Sequence, residues 1–115
     1  MAGSADLIIE QGADWIRNIY WQDSNSAYVN VAGYTARMQV REHRSSPSTI
    51  LELTTSNGRI AVTAVSGLFT MTLTNAETTA MTWDAGYYDL EVVSSAGFVT
   101  RLLEGKIKLN KQITR

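Results

Sequence analysis

Few side chains in this 115-residue chain are of the types that catalysis or metal ligation needs. The single histidine, His43, stands among Arg41, Glu42 and Arg44. A catalytic triad requires a nucleophile, a histidine and an orienting acid that converge in space. His43 instead reads as a solvated loop residue. The acids Asp84, Asp89, Glu91 and Glu104 are the candidates for paired-carboxylate work, which sets such groups on either side of a scissile bond. Asp89 and Glu91 share a parity on one expected strand, the pattern of a wet sheet face. They lack the dense oxygen-ligand spacing of a calcium loop. With no cysteine there is no thiolate nucleophile, disulfide or sulfur-ligated zinc site. No phosphate-binding loop, His-Glu-x-x-His or Gly-x-Ser-x-Gly pattern occurs. No catalytic, cofactor-binding or metal-binding residue is assigned, and the chain is expected not to be an enzyme.

The remaining chemistry is that of contact. Trp15, Tyr20, Trp21, Tyr34, Trp83, Tyr87 and Tyr88 form a large aromatic set, most of it expected in the core. Adjacent residues of a strand point to opposite faces. One member of Tyr20-Trp21 and one of Tyr87-Tyr88 should therefore face outward, where Trp, Tyr and Arg dominate binding hot spots. An outward aromatic can also stack on a sugar, the rival use. Residues 101–115 carry Arg101, Lys106, Lys108, Lys111 and Arg115 against Glu104 alone, so the last segment is locally basic and suits an acidic partner. The candidate interface residues are Tyr20, Tyr87, Arg37, Arg41, Lys106, Lys108 and Lys111.

The formal net charge of −1 gives no global attraction to nucleic acid or to an anionic membrane. Arg37 and Arg41 lack the interleaved aromatics of a nucleic-acid groove. No apolar run approaches the ~18 residues that cross a bilayer. Leu7-Ile8-Ile9 is too short for a signal-peptide core. Neither nucleic-acid binding nor membrane insertion is expected.

The elements that must position these residues are strands. Period-two alternation, broken by turn residues every ten or so positions, predicts an all-β sandwich. Leu7–Glu10, Trp15–Trp21, Tyr28–Val31, Tyr34–Arg41, Ile50–Thr54, Ile60–Thr63, Phe69–Thr74, Tyr87–Val93 and Phe98–Leu109 read as strands. Trp15–Trp21 carries large apolar groups on both faces, so it is covered twice or meets a partner. Asn57-Gly58 is the strongest turn signal. Gly105 reads as a bulge, and Val99, Leu103, Ile107 and Leu109 as one face. Thr74-Asn75-Ala76-Glu77 fits a capping box opening one helical turn near residues 75–81. The expectation is one domain over 1–115: an immunoglobulin-like antiparallel sandwich of seven to nine short strands, with 1–5 and 110–115 as flexible or partner-bound tails.

The chain also resembles a family of small phage domains typified by the N-terminal domain of the baseplate upper protein. The resemblance covers roughly residues 6–109. It rests on Leu7-Ile8-Ile9-Glu10-Gln11-Gly12, Trp21-Gln22-Asp23-Ser24, Leu51-Glu52-Leu53-Thr54, Tyr88-Asp89-Leu90-Glu91 and Arg101-Leu102-Leu103-Glu104-Gly105. Its most specific piece is Gly33-Tyr34-Thr35-Ala36-Arg37-Met38-Gln39-Val40-Arg41. It implies an immunoglobulin-like virion structural protein of a bacteriophage tail, baseplate or collar, made in the bacterial host cytoplasm. Its partners would be other phage structural proteins and further copies of itself, as a homo-oligomer. No coiled coil or fibre segment follows the domain, which favours an accessory or adaptor subunit. The alternative is a carbohydrate- or receptor-binding sandwich module. No catalytic residue or cofactor comes with the family.

Overall fold

A computed structural model describes residues 3–114. Nine strands form two sheets. The larger, six-stranded sheet holds β1 (Gly3–Ser4), β2 (Leu7–Glu10), β4 (Thr35–Arg41), β5 (Leu51–Thr54), β8 (Ala85–Val93) and β9 (Val99–Asn110). The smaller sheet has the order β3 (Trp15–Tyr20), β7 (Leu68–Leu73), β6 (Ile60–Thr63). A 3-10 turn, Ala64–Ser66, joins β6 to β7, and α1 (Asn75–Thr79) bridges β7 to β8. The central order β9-β8-β4-β5 opposite β3-β7-β6 is that of an immunoglobulin-like sandwich, with β5 added beside β4.

Alternation in the sequence builds the core directly. Ala36, Met38 and Val40 of β4 and Tyr88, Leu90 and Val92 of β8 are buried. They face Phe69, Met71 and Leu73 of β7 across the sandwich, all three fully buried. Trp15 closes one end of this core, and its indole N–H donates to the Ile8 carbonyl at 2.9 Å. The capping box is formed. The Thr74 side chain accepts from the Glu77 N–H, and the Glu77 carboxylate accepts from the Thr74 N–H. The buried Thr78 hydroxyl accepts from the Gly12 N–H at 3.0 Å and donates to the Ala13 carbonyl at 2.9 Å. Through these bonds α1 is tied to the chain just before β3.

Several expectations are corrected. The sandwich is not wholly antiparallel, because β1 and β2 pair parallel to β9. Tyr28–Val31 is not a regular strand. It makes a single bridge, Gln22 to Tyr28, and buries Val31. Asn57-Gly58 does turn the chain, with Gly58 at φ +81°. It closes no hairpin, because β5 and β6 belong to different sheets. Residues 3–5, expected within a tail, are bonded to β9. At the other end, the Gln112 N–H donates to the Gln11 side chain at 2.8 Å. Of the two expected tails, residues 1, 2 and 115 lie outside the described residues.

The bulge lies at Leu102, not at Gly105. Leu90 pairs with Leu103, but Glu91 pairs with Arg101, so Leu102 is the extra residue. Beyond it the parity of β9 reverses, which turns Val99 out to 50% exposure instead of into the core face. Gly105 pairs with Tyr88, and its glycine answers a different need. The Ala5 carbonyl packs so close that a side-chain Cβ at 105 would overlap it.

Candidate interaction surface

Strand register arranges the outer face of the larger sheet in rows. One row runs Glu52, Gln39, Asp89, Glu104, and a second runs Thr54, Arg37, Glu91, Arg101. These rows are largely self-satisfied. Arg37 Nε donates to Glu91 at 3.0 Å, Gln39 donates to Glu52 at 2.8 Å, and Arg101 lies 3.5 Å from Asp89 and 3.4 Å from Glu104. Burial, with Glu91 and Glu104 nearby, raises the Asp89 pKa above its ordinary value, against the pull of Arg101 and Arg41.

The third row, Arg41, Tyr87, Lys106, differs in kind. The Arg44 guanidinium stands over the Tyr87 ring at 5.1 Å from its centre, and the Lys106 ammonium at 6.0 Å. Such cation–ring contacts are attractive and orient the half-buried ring. Arg41 is oriented by the Ser46 carbonyl at 2.8 Å and the Gln39 side-chain oxygen at 2.9 Å. Lys108 projects beside Ile8, its register partner on β2. Among the described residues, Arg41, Arg44, Lys106 and Lys108 form no ion pair with a carboxylate. The row borders a groove of about 730 Å³ lined by Ile8, Tyr87, Lys106 and Lys108 and also by the acids Asp6, Glu42 and Asp84. Ile8, 55% exposed, gives the groove an apolar side.

The structure thus brings Arg41, Tyr87, Lys106 and Lys108 of the expected set together. Arg37 is one row away, paired with Glu91. Lys111 is used internally: it donates to the Thr82 carbonyl at 2.9 Å and lies 3.7 Å from Asp84. Tyr20 is on the other sheet, 51% exposed, its ring 5.6 Å from that of Tyr28. Sequence reasoning missed Arg44, whose only signal was its place in the cationic loop after β4. His43 is exposed, 3.7 Å from Glu42. A second groove, of about 700 Å³, runs between α1 and β5 and is floored in part by Met81 and Trp83.

The outer face of the smaller sheet has the opposite character. Ile16, Asn18 and Tyr20 of β3 register against Thr72, Thr70 and Leu68 of β7, with Ala61 and Thr63 of β6 beyond. None of these residues is charged. Ile16 is 63% exposed.

No family model matches the chain, and no curated relative matches it. Among the described residues no helix is long and apolar enough to cross a membrane. Fold and surface together show an all-β sandwich.

Proposed function

We propose that this chain is a structural adaptor subunit that works by protein–protein contact inside a larger assembly. The observation that carries the reading is the row Arg41, Tyr87, Lys106. It presents an aromatic ring between cations that, among the described residues, form no ion pair with a carboxylate. Arg and Tyr are the residue types that anchor interfaces, and cations of this kind select an acidic partner surface. The Gly33–Arg41 resemblance supports naming the assembly as a bacteriophage tail, baseplate or collar. On that reading the protein is made in the bacterial host and resides in the virion. A carbohydrate platform at Tyr87 is less suited, because Arg44 stands over the ring where a sugar would stack.

The test is the protein content of particles purified from a bacterial strain that carries the gene. The reading expects this chain in the particles at a fixed ratio to a major tail protein. Its presence only in the particle-free lysate would overturn the reading.

A further inference from the structure

We infer that the open edge of β3 is a self-association edge, and that a second copy of this chain adds its own β3 antiparallel to it, centred on Asn18. This rests on the reading of the chain as an assembly subunit and names one surface it uses.

The first argument is which edges are open. An unpaired strand edge is a template for another strand, and proteins usually blunt it. On β5 the Glu52 carbonyl is capped by the Asn57 side chain at 3.1 Å and by Arg59 at 2.9 Å. On β2 the Ile8 carbonyl is capped by the Trp15 indole. β6 has only four residues. β3 has six residues and one neighbour, β7. The place beside it, taken by the first strand in a constant-type immunoglobulin sheet, is free because β1 and β2 pair with β9 instead.

The second argument is where the backbone groups point. The Trp21 N–H donates to Gly67 at 2.8 Å, which continues the ladder toward β7. Backbone groups alternate along an antiparallel strand. Trp15, Arg17 and Ile19 therefore bond toward β7, and Ile16, Asn18 and Tyr20 direct their N–H and C=O groups to the open edge. Among the described residues no side chain or loop bonds those groups.

The third argument identifies the occupant. The outer-face residues Ile16, Asn18 and Tyr20 of β3 are uncharged, so they offer nothing to a charged partner strand, whereas a second β3 presents the same uncharged outer face. A two-fold axis through Asn18 sets Ile16 opposite the second copy's Tyr20 and Asn18 opposite itself. All three residues then exchange backbone hydrogen bonds. Arg17, on the inner face, comes opposite Ile19. Sliding the pairing by one step to centre on Arg17 would set like charges against each other, which is destabilising. The charge thus disfavours the Arg17-centred register, and the Asn18-centred one uses the backbone groups of all three outward residues. The product is one continuous sheet across both copies, an isologous two-fold contact.

The test is the mass of the full chain by sedimentation across a micromolar concentration series, for the natural sequence and for Asn18→Lys and Ala61→Lys. The natural chain and Ala61→Lys should dimerise. Asn18→Lys, which places like charges on the axis, should weaken the dimer roughly tenfold or more, with an unchanged melting temperature at concentrations where both chains are monomeric. The chain has no cysteine, so single cysteines report the register. Asn18→Cys should form a disulfide-linked dimer, since paired Cα atoms about 5.5 Å apart suit a disulfide, and Thr63→Cys should not. A strictly monomeric natural chain overturns the inference. So does a dimer that Asn18→Lys leaves intact, and in that case the assembly reading stands.

Discussion

The Tyr88 hydroxyl donates a 2.5 Å hydrogen bond to the Ala5 carbonyl, joining the centre of β8 to the link between β1 and β2. The ring is buried opposite Gly105, which has no side chain to block that reach. Burial, reinforced by Asp6 and opposed by Arg17, pushes the Tyr88 pKa up to about 12. The folded state therefore holds the proton more tightly than the unfolded chain, whose tyrosine titrates near 10. Stability from this group is fully present below pH ~10 and is lost as pH rises from there through about 12. Tyr88→Phe should cost about 1–3 kcal/mol at neutral pH, because the Ala5 carbonyl loses its partner. Alkaline denaturation curves should also show a shallower fall in the variant.

Gly105→Ala should destabilise by about 1–3 kcal/mol, the usual cost of overpacking, since its Cβ meets the Ala5 carbonyl, a backbone atom that cannot rotate aside. Gly97→Ala meets no atom and bears only the strain of φ +91°. It should cost about 1–2 kcal/mol. Urea unfolding gives both costs, and hydrogen exchange separates the mechanisms: Gly105→Ala should weaken protection in residues 3–9, and Gly97→Ala should not.

Asp89 and Glu77 should respond to acid in opposite directions. Thr74, through its backbone N–H above all, and Arg59 hold the Glu77 pKa below its ordinary value. The stability Glu77 provides is present above its unfolded pKa and is lost as pH falls through the folded one. Asp89 is raised, so its ionised form burdens the fold at neutral pH. Asp89→Asn should raise the melting temperature slightly at pH 7, and the gain should vanish below about pH 4. Thr74→Ala should cost about 1 kcal/mol through loss of the cap. Thermal melts over an acid series check all of these.

Tyr87→Ser should leave the melting temperature almost unchanged, as surface substitutions usually fall within about 0.5 kcal/mol, whereas Tyr88→Ser should lower it steeply. The contrast between neighbouring tyrosines is the direct readout of which one serves the core.

Much of this was legible in the residues. Strict alternation over Thr35–Arg41 and Tyr87–Val93 fixed which side chains point inward, because side-chain direction has a period of two. The same logic required one member of Tyr87-Tyr88 and one of Tyr20-Trp21 to face outward, but only the fold shows that Tyr88 is the buried one and that Tyr20 is exposed. The Thr74–Glu77 cap was readable because both halves lie within four residues. Features that depend on distant chain segments were not. The bulge at Leu102 reverses parity within an unbroken apolar pattern. The sheet change after Asn57-Gly58 depends on where β6 finds a partner, not on the turn. Gly105 is explained only by Ala5, one hundred residues earlier. Arg41, Tyr87 and Lys106 were each chosen singly, and only the registers of β4, β8 and β9 show that they share a row.

On the proposed function, the Tyr87 row docks this subunit onto an acidic neighbour in a particle. The most direct measurement is incorporation of tagged chain into purified particles, comparing the natural sequence with Lys106→Glu, its folding verified by melting temperature. The natural chain should enter the particles and the folded variant should be largely excluded. Equal incorporation of both would contradict it.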